Sequence, residues 1–294
     1  MMGSSHERRF FVTVADDFGR TLSVNAAVAE AHDKGVLSSA SLMAGGEAFD
    51  DAVRVAESRK TLSVGIHVTL CDGRAVSESS RIPGLVGDDG FFEKNPVRAW
   101  LQCSLRRLRP QIEEEVKAQF ERIEEAGIHP THVDAHHHLH MHPVVFDIIC
   151  REAEGRGIGW IRIPGEPMSA LFSGRALRRG VMPFLEWAVF GLLGGQYKRK
   201  ADRQGVYSAE RVFGLSGTGS VDEEYILQVL DRMRGPVDEI FAHPDMSTES
   251  GRAELGALTS PAIRRRAASY GITVAGYGEL KGARAACSSL RRKL

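Results

Sequence analysis

Between residues 132 and 142 the chain reads His132-Val133-Asp134-Ala135-His136-His137-His138-Leu139-His140-Met141-His142. Side chains alternate along an extended strand, so His132, Asp134, His136 and His138 would share one face and His137 would turn to the other. Four ionisable groups on one strand face repel when charged and are costly when buried unpaired. A divalent cation relieves both penalties, because neutral imidazole and carboxylate are natural ligands for it. The bland reading is a polar strand end that happens to be rich in histidine. The company the run keeps speaks against it.

Four further strand tips carry reactive groups: Asp16-Asp17-Phe18-Gly19 after FFVTVA, His67 within VGIHVTL, Arg162 within WIRIP, and His243 within EIFAHPD. Adjacent carboxylates at a strand end cannot point the same way, so Asp16 and Asp17 call for separate roles. One would bind the cation while its neighbour accepts a proton from an activated water. A turn or helix cap would also use such a pair. Taken alone, His67 and His243 would be satisfied core histidines. A histidine outside the metal's shell could instead protonate a departing amine. Arg162 would orient the base carboxylate or form a structural ion pair.

The elements that must position these groups are short, β-rich apolar runs alternating with helical patterns. The strands are FFVTVADD, SSASLMAGG, LSVGIHVTL, THVDAHHHLH, GWIRIP, DEIFAHP and GITVAG. Several are apolar on both faces, as buried parallel strands are. Ile112, Val116, Phe120 and Ile123 form one helical stripe, with Glu113, Glu114 and Glu115 toward its positive end. Seven β-then-α units predict an α/β fold, a closed or nearly closed barrel, with an open doubly wound sheet as the alternative. In such barrels reactive side chains sit at the carboxyl ends of the strands, where all five groups fall. No GxGxxG follows the first strand, which argues against a dinucleotide site.

Residues 1–9 are expected to be a disordered N-terminus, 10–280 one barrel domain with an insertion at 165–210, and 281–294 a basic tail. Lys plus Arg equals Asp plus Glu at 38 each, so no net field recruits nucleic acid. The four cysteines form no CxxC pair, which favours a reducing compartment. The first residues lack the apolar core of a signal peptide, and the expected location is cytoplasmic.

The ADDFG tip, the GIH strand, the HVDAHHHLHMHP run and the HP pair together resemble the YdjC-like carbohydrate deacetylase family. SLMAGGEAFDDAV, RIPGEP, RVFGLSGTGSVDEE and ELGALTSPAIRRR bring the chain closest to the branch associated with hopanoid biosynthesis. Asp134 and His137 depart from that branch and lean toward the chitooligosaccharide-type motif. The resemblance covers roughly residues 10 to 275. It implies a TIM-like (β/α) barrel and removal of an acetyl group from an N-acetylated amino sugar. It places Asp17, His67 and His136 on the metal, Asp16 as base and His243 as acid; His132, Asp134 and His138, from the same histidine-rich run, are expected behind those ligands. The substrate would be an N-acetylglucosaminyl hopanoid or an oligosaccharide. The cofactor would be one divalent ion, with zinc favoured by ligand softness and magnesium by family habit.

A hopanoid substrate would bring the enzyme to a bilayer. Residues 181–195, VMPFLEWAVFGLLGG, carry Glu186 as their only charge and lie between Arg175, Arg178, Arg179 and Lys198, Arg199, Lys200, Arg203. They are too short to span a membrane but suit an interfacial helix at the inner membrane. A lid, or a helix packed on the barrel or on the mate in a homodimer, is the alternative. Two other functions compete. A non-catalytic metal-binding module would have no need of Asp16. A metal-dependent phosphoesterase usually calls for two metals.

Overall fold

A computed structural model describes residues 8–166, 182–217 and 219–282. The strands are β1 (Arg9–Phe18), β2 (Ser39–Leu42), β3 (Ser63–Val68), β4 (His132–Ala135), β5 (Trp160–Ile161), β6 (Arg211–Phe213), β7 (Val237–Ala242) and β8 (Ile272–Val274). Helices α1 (Leu22–Lys34), α2 (Phe49–Glu57), α3 (Pro96–Cys103), α4 (Arg109–Glu125) and α5 (Pro143–Gly155) fill the first half. The second half holds α6 (Met182–Arg203), α7 (Glu223–Arg232), α8 (Glu249–Thr259) and α9 (Pro261–Ser269).

Every strand pair within the sheet is parallel, and the order is β5-β4-β3-β2-β1-β7-β6, with β8 beside the start of β1. That order follows the chain around a ring cut between β5 and β6. A doubly wound sheet would instead reverse direction at a switch point. Single bridges, Trp160 to Tyr207 and Gly165 to Val212, reach toward closing the cut. The fold is therefore a curled, TIM-like β/α barrel, and the doubly wound alternative is set aside.

All seven expected strands are present. An eighth, β6, was not foreseen: three residues are too few to show a period. The histidine run also departs from expectation. The strand ends at Ala135, and His136–Met141 form a tight 3-10 turn in which His137 and His138 take φ of 52° and 54°. His138 thus does not continue the inward row, because the chain must bend at the rim to enter α5. In α4, Ile112, Val116, Phe120 and Ile123 face the core as the stripe requires. Glu115 is buried too, accepting hydrogen bonds from the Val76 and Ser77 backbone N–H groups at 2.9 Å each.

Register partners in a parallel sheet share a face. His67 pairs with Asp134, His132 with Trp160, Ser39 with Ser63 and Val14, and Val12 with Glu239. The face carrying His67 also carries Ser41, Gly65, His132 and Asp134, all buried save for Gly65's missing side chain. Small residues there make room for large ones. A Cβ on Gly65 would lie 2.5 Å from the His132 ring. Tyr277, from the turn after β8, closes the floor between His132 and Trp160, at ring distances of 4.8 and 5.2 Å.

Within the expected 165–210 insertion, residues 167–181 lie outside the described residues, as do the expected N-terminus through residue 7 and the tail from 283. Residues 182–203 form α6, whose Phe190, Tyr197 and Ala201 are buried, with Tyr197 stacked on Phe146 at 4.0 Å. No described helix is long and apolar enough to cross a membrane.

Candidate metal centre

The Asp16-Asp17 tip is shaped by a bulge. The register of β1 against β2 slips between Ala15 and Phe18, and Asp17 adopts φ of 61°. A bulge re-aims side chains, and left-handed backbone at a non-glycine residue is strained. Both carboxylates consequently reach the same rim, which plain alternation would forbid. Buried Asn25 on α1 holds the bend. Its Oδ1 accepts from Gly19 N–H at 2.8 Å, and its Nδ2 donates to Ala48 O at 3.0 Å and Asp51 at 2.9 Å.

Asp17 Oδ1 lies 2.9 Å from His136 Nδ1 and 3.3 Å from His67 Nε2, and those two nitrogens are 3.3 Å apart. Donors about 2.0–2.1 Å from one cation stand roughly 3.0–3.4 Å from each other. The spacing therefore fits a shared ion. Asp17 Oδ1 is also buried without a hydrogen bond of acceptable geometry, as an oxygen whose lone pair faces a cation would be. Among the described residues, Asp17, His67 and His136 form one of three acid and imidazole groupings compact enough to hold a metal.

The partners behind these donors set their chemistry. His67 Nδ1 donates to Asp134 Oδ1 at 2.6 Å, which leaves the Nε2 lone pair aimed at Asp17 and His136. Asp134 also accepts from Ser41 Oγ at 2.7 Å and forms an ion pair with Arg162 Nη2 at 2.9 Å. Burial works to depress the His67 imidazole, but Asp134 and Asp17 outweigh it and lift it to about 10. Without a cation His67 therefore holds a proton that a metal must displace. Burial likewise opposes ionisation of Asp17 and Asp134. His136 and His67 nevertheless keep Asp17, and Arg162 with His67 keeps Asp134, well below the usual carboxylate range.

Arg162 is buried and joins three carboxylates. It grips Asp16 with two bonds of 2.7 and 2.8 Å, reaches Asp134, and donates from Nε to Glu239 at 2.5 Å. Burial pushes the Glu239 carboxyl up. Asp16 lies beside the triad, and His243 Nε2 stands 3.8 Å from Asp16 Oδ2. His243 belongs to the wall of the same cavity, of about 260 Å³, together with Asp16, Asp17, Arg20, His67, His136, His137, His138, Pro96 and Phe241. His138 sits edge-on to Phe241 and Phe190 rather than among the donors, and burial drives its imidazole well below its ordinary range. His132 lies deeper, 3.1 Å from Ser41 Oγ, and burial lowers it to about 3.

Every expected site residue thus lies at this rim or directly beneath it, with His132 and His138 away from the donors. Several residues were missed. Arg20 bonds Asp17 at 3.1 Å and Asp72 at 3.0 Å, and both Arg20 and Asp72 line a second cavity of about 330 Å³. Asp72 follows the end of β3, so the strand-end rule could have found it. Glu239 stands two and four residues before Phe241 and His243, and period two would have placed all three on one face. Arg20, one residue past a glycine turn, leaves no such mark.

The sequence profile of the YdjC-like protein family matches residues 11–269. A carbohydrate deacetylase from Geobacillus stearothermophilus is 31% identical over 282 residues, 92% of this chain and 98% of its own. A chitooligosaccharide deacetylase from Salmonella typhimurium is 38% identical over 154 residues, 51% of this chain and 58% of its own. Among solved structures, a candidate cellobiose-phosphate cleavage protein from Enterococcus faecalis V583 is similar in fold, with a TM-score of 0.72 at 22% identity over 93% of this chain and 99% of its own.

Proposed function

The chain belongs to the YdjC-like protein family, and from that membership we propose that it is a metal-dependent carbohydrate N-deacetylase. We infer further that its substrate is an N-acetylglucosaminyl lipid of the hopanoid type, with a chitooligosaccharide as the alternative. One observation carries the reading: three donor atoms, from β1, β3 and the turn after β4, lie within 2.9–3.3 Å of one another, with a second carboxylate held beside them.

Asp17, His67 and His136 would hold the ion, zinc on ligand softness or magnesium. Bound there, a divalent ion lowers the pKa of water toward neutrality and polarises the amide carbonyl. The chain's own residues do the rest. Arg162 fixes the Asp16 carboxylate through both oxygens, and each oxygen keeps a lone pair to receive the proton of the attacking water. Asp134 keeps the His67 proton on Nδ1, away from the ion. His243, on the same cavity wall, delivers a proton to the sugar nitrogen as the C–N bond breaks. Acetate and a free amine leave.

The test is mass spectrometry of N-acetylglucosaminyl hopanoid and of di-N-acetylchitobiose after incubation with the metal-loaded enzyme. Loss of one acetyl group is the expected result, and the faster substrate decides between glycolipid and oligosaccharide. Asp16→Asn should keep its metal while turnover falls by about 10²–10⁴. A fully active Asp16→Asn enzyme would remove the base from this scheme.

A further inference from the structure

Helix α3 wears its apolar side outward. Val97 and Leu101, one turn apart on α3, are 56% and 61% exposed, and Leu105 in the turn after it is 40% exposed, whereas Ala99 and Cys103 of α3 are buried. An amphipathic helix of a water-facing surface would show the reverse. Charge is arranged just as unevenly. Between Glu93 and Glu113 the chain has five basic residues, Lys94, Arg98, Arg106, Arg107 and Arg109, and no acid. Arg98 is 3.8 Å from Glu93 and Arg109 pairs with Glu113 at 3.2 Å. Lys94, Arg106 and Arg107 are exposed and in no ion pair among the described residues. In a chain of zero formal net charge, this is a local concentration.

We propose that this face of α3 and the turn after it is a docking surface for an anionic lipid bilayer, with Val97, Leu101 and Leu105 entering the headgroup boundary. Aliphatic side chains flanked by arginine and lysine are the composition such a surface needs, each basic residue contributing attraction to anionic headgroups. A second copy of the chain fits poorly. Three aliphatic side chains fall well short of the roughly 800 Å² per partner of a stable interface, and a two-fold contact would set arginines against arginines. The position has a consequence. Pro96, the first residue of α3, lines the catalytic cavity, Lys94 and Phe91 line its neighbour, and α3 packs on the His136–Met141 turn. Docking by α3 therefore sets the cavity mouth at the membrane surface. The surface is distinct from the 181–195 segment and does not depend on which amide is cleaved.

Flotation of the full metal-loaded chain with vesicles tests it, using phosphatidylcholine alone and phosphatidylcholine mixed with phosphatidylglycerol. Binding is expected only to the mixed vesicles and should weaken with salt. The double variant Arg106→Glu, Arg107→Glu should lower partitioning by about 25-fold or more, about fivefold per lost charge. Leu101→Asp with Val97→Asp should lower it by at least about tenfold. Deacetylation of a water-soluble substrate by both variants should stay at the wild-type rate, which separates lost docking from lost folding or chemistry. No binding of wild type to anionic vesicles, or binding that survives both variants, overturns the proposal. Concentration-dependent dimerisation abolished by Leu101→Asp would overturn it in favour of a second copy.

Discussion

At the scale of the residue, the site depends on Asp134, which touches neither the cavity nor the shared point between the donors. It is wholly buried, and its two oxygens divide their work: one accepts the His67 N–H, the other accepts from Ser41 and pairs with Arg162. Ionised, it presents the His67 Nε2 lone pair to a cation. Asp134→Asn keeps the shape but loses the charge that holds the His67 tautomer and draws on Arg162. Metal affinity should fall about 10–100-fold, as measured by equilibrium dialysis with metal analysis. Unchanged affinity would mean that Asp134 serves only packing. His67→Ala and His136→Ala remove donors outright and should lose metal and activity together.

At the scale of the element, the β1 bulge decides what the paired aspartates can do. Its left-handed Asp17 is held from outside the strand, by the Asn25 side chain on Gly19 and by Arg20 on Asp17. Asn25→Ala leaves the Gly19 N–H without its side-chain acceptor in a buried place. It should cost about 1–3 kcal/mol in urea unfolding and weaken metal binding as Asp17 relaxes. Stability lost with metal affinity intact would show that the bend is set elsewhere. The same scale explains the misplaced His138. Strand alternation is a property of extended backbone, and the run leaves that backbone at Ala135 to turn into α5. Nothing in a string of histidines marks where a strand stops.

At the scale of the whole molecule, the barrel's interior is polar where a common β/α barrel is packed with branched aliphatics. The arrangement carries a liability in acid. Burial lowers His132 and His140 to about 3, against 6.5 unperturbed, and both are buried. Depressed folded values mean that the unfolded chain binds more protons as pH falls below about 6.5, so stability declines from there until the folded value near 3 is reached. With both histidines neutral in the fold, the loss approaches about 2.7 kcal/mol per pH unit between roughly pH 6 and 4. Urea titrations of the metal-free protein at pH 7, 6 and 5 check this, and a flat profile would show that the two rings are protonated in place.

The strand count, all but one, and the strand-end location of the chemistry were legible in the sequence. Buried parallel strands and amphipathic helices leave local periods, and side-chain type alone limits which groups can bind a cation. The exact strand order, the distances at which Asp17, His67 and His136 meet, and the network of Arg162 with Asp16, Asp134 and Glu239 came only with the tertiary structure. Those residues are up to 223 positions apart, Asp16 to Glu239, and barrel curvature, which no local window encodes, is what brings them within hydrogen-bonding distance. The bulge at Asp17 belongs with them, because it arises from competition between the β1–β2 register and the contacts of Asn25 and Arg20, and neither is visible until the chain has closed on itself.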